Sequence, residues 1–311
     1  RPQRIQTGLL GAELERDPAS RYYRIKRILK GQNWNQATIS PLTQIGVDVR
    51  AGDYILAVNG RSTAQMANIY EALLNTVGKQ VRLRVNARPT EAGSREAVVI
   101  PIANEAPLYY YNWVEENIRK VNAATSDKVG YIHIPDMGND GLNEFVKYFY
   151  PQLRKKALII DVRGIGGGSV SPLVIDRLRR QIAMVGVGRN TSATPDPFES
   201  IMGPMICLLD EFSASDGDIF PYGFKNYGLV KPLLDGGSLF KPEFATYGAS
   251  GEGWIVEGHG VDPDIVVDND PAKEFAGIDE QLNKALEIIL EELQAREQHL
   301  PAIPAFPDKS R

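Results

Sequence analysis

Two apolar runs decide what this 311-residue chain can fold into: Ala157-Leu158-Ile159-Ile160-Asp161-Val162 and Met205-Ile206-Cys207-Leu208-Leu209. Each reads as a continuous strand of the kind buried on both faces of a parallel sheet. Each runs into a turn of small residues and then into a helical pattern. The first turn is Arg163-Gly164-Ile165-Gly166-Gly167-Gly168-Ser169, followed by an amphipathic helix over Pro172 to Ile182 with Leu173, Val174 and Leu178 inward. The second is Glu211-Phe212-Ser213-Ala214-Ser215-Asp216-Gly217-Asp218, with a helix expected from about Ile219. Adjacent parallel strands end at one sheet edge, so the two turns are expected side by side. A strand over Val129 to Ile134, a helix over Leu142 to Tyr150 stopped by Pro151, and a long helix over Gln281 to Leu293 complete a strand–helix alternation from residue 128 onward.

The first hundred residues carry a different pattern. Gly8-Leu9-Leu10-Gly11-Ala12 is a tight turn entering a strand, and Tyr54 to Val58 alternates as a half-buried strand does before the hairpin signal Asn59-Gly60. Asn68 to Thr76 reads as a helix, and Gln80 to Asn86 and Glu96 to Ile102 as strands. With Gly52-Asp53-Tyr54-Ile55-Leu56-Ala57-Val58-Asn59-Gly60 at its centre, this segment resembles a PDZ domain. The resemblance implies that Gly8 to Gly11 form a carboxylate-binding loop, with Leu9, Leu10 and Gly11 as its peptide-binding residues. Such a groove binds by strand addition, unless the residues up to Ile5 already fill it.

Composition removes several function classes. A net charge of −4 argues against a dedicated binder of nucleic acid or anionic membrane. No run of about 18 apolar residues is present, so no membrane span is expected. One cysteine excludes an intrachain disulfide, and Cys207 inside an apolar strand reads as core. Three dispersed histidines give no metal-ligand spacing, and neither a dinucleotide fingerprint nor a P-loop is present, so no metal or cofactor is expected. The chain opens on Arg1-Pro2-Gln3 without Met or signal peptide and reads as a fragment.

The chemistry-bearing residues gather at the strand ends. A serine between a strand and a helix exposes its hydroxyl beside N–H groups that stabilise negative charge; the competing reading is a simple N-cap. Three glycines in the other turn let backbone approach a ligand closely and can offer an oxyanion-hole N–H. Near the C-terminus Trp254-Ile255-Val256-Glu257-Gly258-His259-Gly260-Val261-Asp262-Pro263-Asp264 reads as a strand ending in a carboxylate and a turn. His259 there is a candidate base or a solvent-facing turn residue.

The ordered set of a PDZ domain, the triple glycine, Ser215-Asp216-Gly217-Asp218 and Glu257-Gly258-His259-Gly260-Val261-Asp262-Pro263-Asp264 resembles the C-terminal half of tricorn proteases, relatives of the tail-specific, carboxyl-terminal processing proteases. The resemblance implies an α/β (α+β) chain: a PDZ domain over 1-103, a linker with a helix over 104-127, a crotonase-like (ClpP/crotonase-type) protease core over 128-298 and a Pro-rich tail over 299-311. It implies Ser215 as nucleophile, the N–H groups of Asp216 and Gly168 as oxyanion hole, and Glu257 supporting a charge relay through a second serine. It also implies peptide or unfolded-protein substrates, a hexameric homo-oligomer and a cytoplasmic setting, with the periplasm left open by the missing N-terminus.

Three departures qualify the resemblance. The family's base histidine and second serine lie upstream of the PDZ domain, so they fall to upstream domains of the same polypeptide, and this chain alone is expected to be inactive or nearly so. A Gly/Thr/Trp-rich segment that flanks the family's active site is absent between Lys231 and Pro232, either because it is disordered or because it is deleted. The position that gives the family its preference for basic side chains falls near the uncharged Gly186. The alternatives are a tail-specific protease with a Ser215/Lys241 dyad, although Leu239-Phe240-Lys241-Pro242-Glu243-Phe244 fits the tricorn pattern better, and a catalytically degenerate PDZ peptide-binding scaffold.

Overall fold

The computed structural model describes residues 5–188, 190–226, 253–295 and 299–304, and the backbone of 232–234. Lys231 and the whole segment from Leu239 to Phe244, with Lys241, fall outside the described residues. The chain divides into two compact units, Arg1–Glu116 and Asn117–Arg311.

The first unit is an antiparallel sheet of β1 (Ala12–Arg16), β2 (Tyr23–Ile28), β3 (Tyr54–Val58), β4 (Arg61–Ser62), β5 (Val81–Asn86) and β6 (Arg95–Val99), in the order β1-β2-β3-β5-β6 with β4 paired to β3. Leu10, Ile25, Ile55, Leu73, Leu83 and Val85 fill its core. Asn59 and Gly60 both take positive φ, 47° and 83°, which is the turn the β3–β4 hairpin requires. Two expectations are corrected. Ile55 to Val58 are all buried rather than alternating, so the strand is central and covered on both faces. Asn68 to Thr76 is no α-helix: only a 3-10 segment, Ile69–Leu73, forms, started by the Asn68 side chain accepting from the Tyr70 N–H at 3.0 Å.

A long helix, α1 (Ala106–Ala124), follows; it starts seven residues before the expected Trp113, because Asn104 accepts from the Ala106 N–H at 2.9 Å and Pro107 tolerates a first-turn position. The second unit then runs through β7 (Val129–His133), β8 (Asp136–Met137), α2 (Asn139–Phe149), β9 (Ala157–Asp161), β10 (Gly166–Gly168), α3 (Ser171–Leu178), a hairpin of β11 (Met184–Gly186) and β12 (Thr194–Asp196), and β13 (Met205–Leu208). It closes with α4 (Asp216–Asn226), β14 (Pro232–Leu234), β15 (Ile265–Val266), α5 (Pro271–Phe275) and α6 (Glu280–Ala295). The main sheet is parallel, in the order β15-β14-β13-β9-β7.

Alternation along those strands feeds two cores. Ile132, Leu158, Ile160 and Cys207 pack with Phe145, Phe149, Val174, Phe220 and Phe224, from α2, α3 and α4. Tyr131, Ile159, Ile206 and Leu208 pack on the other face with Val121, Leu282, Ala285 and Ile289, from α1 and α6. This is a three-layer α/β unit of the expected class. Leu173 departs from expectation: it is 58 % exposed, because the short α3 turns Val174, Ile175 and Leu178 inward instead. The strand expected before Glu257 is also absent; residues 255–259 are bend and turn. No described helix is long and apolar enough to cross a membrane.

The end of β9 carries a buried ionic knot. Arg163 donates to Asp161 at 2.6 and 2.9 Å, to Asp279 at 2.8 and 3.0 Å and to Gln281 at 3.0 Å, while Tyr131 donates its hydroxyl to Asp161 at 2.7 Å. Burial pushes the Asp161 carboxyl up, but the guanidinium and its hydrogen bonds outweigh this and hold it below its ordinary value. Removing one partner leaves the others charged in a dry site. Replacing Arg163 by Leu is expected to lower unfolding free energy by about 3–5 kcal/mol; equilibrium urea unfolding followed by circular dichroism checks it.

Candidate active site

β9 and β13 run parallel in register, Met205 beside Leu158 through Leu208 beside Asp161, so the two turns leave the same sheet edge. Asp210, just past β13, staples them together. Its Oδ1 accepts from the Gly164 N–H at 2.8 Å and from the Phe212 N–H at 3.1 Å. Ser213 donates its hydroxyl to the Val162 carbonyl at 3.0 Å. The two serines of the turn are thereby told apart: Ser213 is a brace between strand ends, and Ser215 is exposed.

Ser215 sits at φ 60°, a left-handed conformation a non-glycine residue takes only when its surroundings impose it. α4 begins on the next residue, earlier than the expected Ile219, with Asp216 and Asp218 in its first turn and Pro221 accommodated inside the helix. The Ser215 carbonyl accepts from the Asp218 N–H at 2.9 Å. Among the described residues the Ser215 hydroxyl has no hydrogen-bond partner, so it is not spent as an N-cap. Burial raises the Asp218 carboxyl above the usual carboxylate range; the Ser215 N–H pulls it back and the charge of Glu257 pushes it up again.

The glycine turn lies against this serine. A Cβ on Gly167 would stand 2.6 Å from Ser215 Cβ and 2.9 Å from its Oγ, so only glycine admits the approach. Gly168 is held from behind by pairing with Met137 in the short β10–β8 ladder. Asp216, the first residue of α4, has an N–H with no intrahelical acceptor. Its buried carboxylate is occupied elsewhere: it accepts from the Ser171 N–H at 3.1 Å and from the Ser171 hydroxyl, locking the start of α4 to the start of α3.

Glu257 lies on the turn before Gly260, whose N–H bonds Val256 O at 3.0 Å. That segment is tied to α4 by Lys225, which donates to the Asp262 carbonyl at 2.9 Å and pairs with Asp264 at 3.4 Å. His259 is exposed on the same turn. His133 is buried on β7 with Nε2 3.2 Å from the Arg163 carbonyl, and burial lowers its pKa. Asp210, Ser171 and Asp218 were not singled out in the sequence; an aspartate directly after an apolar strand was the available signal for the first.

In the first unit, Leu9 and Ile102 exchange both backbone hydrogen bonds at 2.8 and 2.9 Å, and Leu10 is buried in the core. Gly11, at φ 73°, donates its N–H to the Glu105 carboxylate at 2.6 Å.

Comparison with known proteins agrees with this architecture. Residues 8–104 match the family described as tricorn protease PDZ domain, and residues 128–233 match peptidase family S41. The chain is 34% identical over 296 residues to the tricorn protease of Thermoplasma volcanium, covering 90% of this chain and 28% of that protein. It is 35% identical over 318 residues to tricorn protease homolog 1 of Streptomyces coelicolor, covering 96% of this chain and 29% of that one. A solved structure described as the crystal structure of the tricorn protease superimposes with TM-score 0.83 at 31% identity, over 93% of this chain and 29% of that one. The chain thus spans less than a third of the length of these relatives.

Gly167→Ala is expected to push Ser215 out of its place while leaving the thermal midpoint within about a few degrees. A crystal structure of the variant, beside a thermal melt, checks it: a methyl in that gap displaces the serine, not the core.

Proposed function

This chain belongs to the tricorn protease family, and on that premise we propose that its second unit carries the nucleophile and oxyanion hole of a serine endopeptidase acting on peptides or unfolded chains. One observation carries the reading: an exposed serine at φ 60°, immediately before a helix, whose hydroxyl is not used as a cap and which the glycine turn touches. An ordinary N-cap would spend that hydroxyl on the first turn of the helix.

Ser215 Oγ attacks the scissile carbonyl carbon, and its proton passes to a base. The carbonyl oxygen, now negative, faces the N–H groups of Asp216 and Gly168 at the positive end of α4. The C–N bond then breaks, the leaving amine takes the proton, and water hydrolyses the acyl ester on Ser215. Glu257 supports the relay that delivers the base, acting through a second serine. The base itself belongs to a part of the polypeptide outside these residues: His133 is buried against the Arg163 carbonyl, and the family resemblance assigns the histidine to an upstream segment. The same resemblance supports a hexameric assembly and a cytoplasmic setting.

Fluorophosphonate labelling tests the reading in the 311-residue chain and in the polypeptide extended by its upstream segment. The extended wild type is expected to label, Ser215→Ala to lose the label, and Ser213→Ala to keep it. The short chain is expected to label about a hundredfold more slowly or worse, since general-base assistance is worth that much. Label that survives Ser215→Ala overturns the assignment.

A further inference from the structure

A PDZ groove captures a polypeptide end by giving the terminal carboxylate a set of free turn N–H groups and the strand beside it a free sheet edge. Among the described residues β1 pairs only with β2, which leaves its other edge for an added strand. Three of the turn N–H groups are already engaged. Gly8 donates to the Leu73 carbonyl at 2.8 Å, Leu9 to Ile102 at 2.8 Å, and Gly11 to Glu105 Oε1 at 2.6 Å. A loop amide on a carboxylate is the contact a bound C-terminus would make, and here a side chain of the same chain makes it.

We propose that Glu105 is an internal stand-in for a peptide C-terminus and closes this carboxylate site in cis, so the groove takes an outside polypeptide end only when the first turn of α1 gives way. The inference goes beyond the protease reading and does not rest on it, because it concerns the first unit alone.

The contact is delivered by a built support. Leu108 is fully buried, with Cδ1 within 3.3 Å of where a Gly11 Cβ would stand. Asn112 accepts from the Lys30 N–H at 3.1 Å and donates to the Lys30 carbonyl at 2.8 Å and to the Leu108 carbonyl at 2.7 Å. Glu116 pairs with Arg27 at 3.7 Å. Glu105, Leu108, Asn112 and Glu116 follow the spacing of one helix face, so α1 presents the carboxylate from a surface fastened to the end of β2. The hydrogen bond is short and charge-assisted. A tethered carboxylate competes at an effective concentration on the order of millimolar, whereas an incoming one brings a like charge and gains only the bonds that Glu105 gives up.

The experiment uses the 311-residue chain and a short fluorescein-labelled peptide with an apolar last residue, made with a free carboxylate and as its C-terminal amide. Anisotropy titration is expected to show the free-carboxylate peptide binding Glu105→Ala about tenfold or more tighter than wild type, with the amide binding neither. Equal affinity for wild type and variant overturns the proposal, and so does a folded variant that binds neither peptide. Should Glu105→Ala not fold, amide hydrogen exchange on wild type decides: Gly11 is expected to be protected and unaffected by saturating peptide. Rapid exchange there, or new protection on adding the peptide, overturns it.

Discussion

Four pairs along two buried parallel strands, Met205 with Leu158 through Leu208 with Asp161, determine where the chemistry of this chain can sit. Because the pairing is parallel, both strands leave the sheet on one side, and the turns that follow become neighbours without any long loop. What the register brings near, short polar contacts then hold. Asp210 bonds both turns, Ser213 ties one to the end of the other's strand, and Asp216 locks α4 to α3 through Ser171. The Arg163 knot anchors the glycine turn at its root, so the flexible-looking run of glycines starts from a point that α6 also grips through Gln281.

These contacts separate two uses of the same residue types. Ser213 and Asp210 spend their polar atoms on backbone and are structural. The Asp216 carboxylate is likewise spent on Ser171. Ser215 spends its carbonyl on the Asp218 and Ile219 N–H groups, while its hydroxyl has no partner among the described residues. A serine N-cap would stabilise the helix by roughly 1 kcal/mol and would occupy that hydroxyl. The left-handed backbone at Ser215 departs from the extended conformation an N-cap takes.

Much of this was legible because the strong signals were local. Continuous apolar runs gave β9 and β13, Asn59-Gly60 gave the β3–β4 hairpin, and the order of motifs gave the family. What failed was decided by tertiary context. Asn68 to Thr76 carries a cap and apolar residues but winds only as a 3-10 segment; Leu173 sits in a helical stripe but faces outward because α3 is two turns long. The contribution of Asp210, Ser171 and Glu105 rests on partners 46, 45 and 94 residues away, which no spacing rule reaches. For the PDZ loop the resemblance pointed to Leu9, Leu10 and Gly11 as peptide ligands; the structure commits the Leu9 backbone to Ile102, buries Leu10 and gives the Gly11 N–H to Glu105.

The most direct test is a crystal structure of the upstream-extended polypeptide after reaction with a fluorophosphonate, in which the phosphoryl oxygen stands in for the oxyanion. The account predicts continuous density from Ser215 Oγ to phosphorus, with the phosphoryl oxygen about 2.7–3.1 Å from the backbone nitrogens of both Asp216 and Gly168. An adduct on another residue, or one on Ser215 whose phosphoryl oxygen points away from both nitrogens, would contradict it.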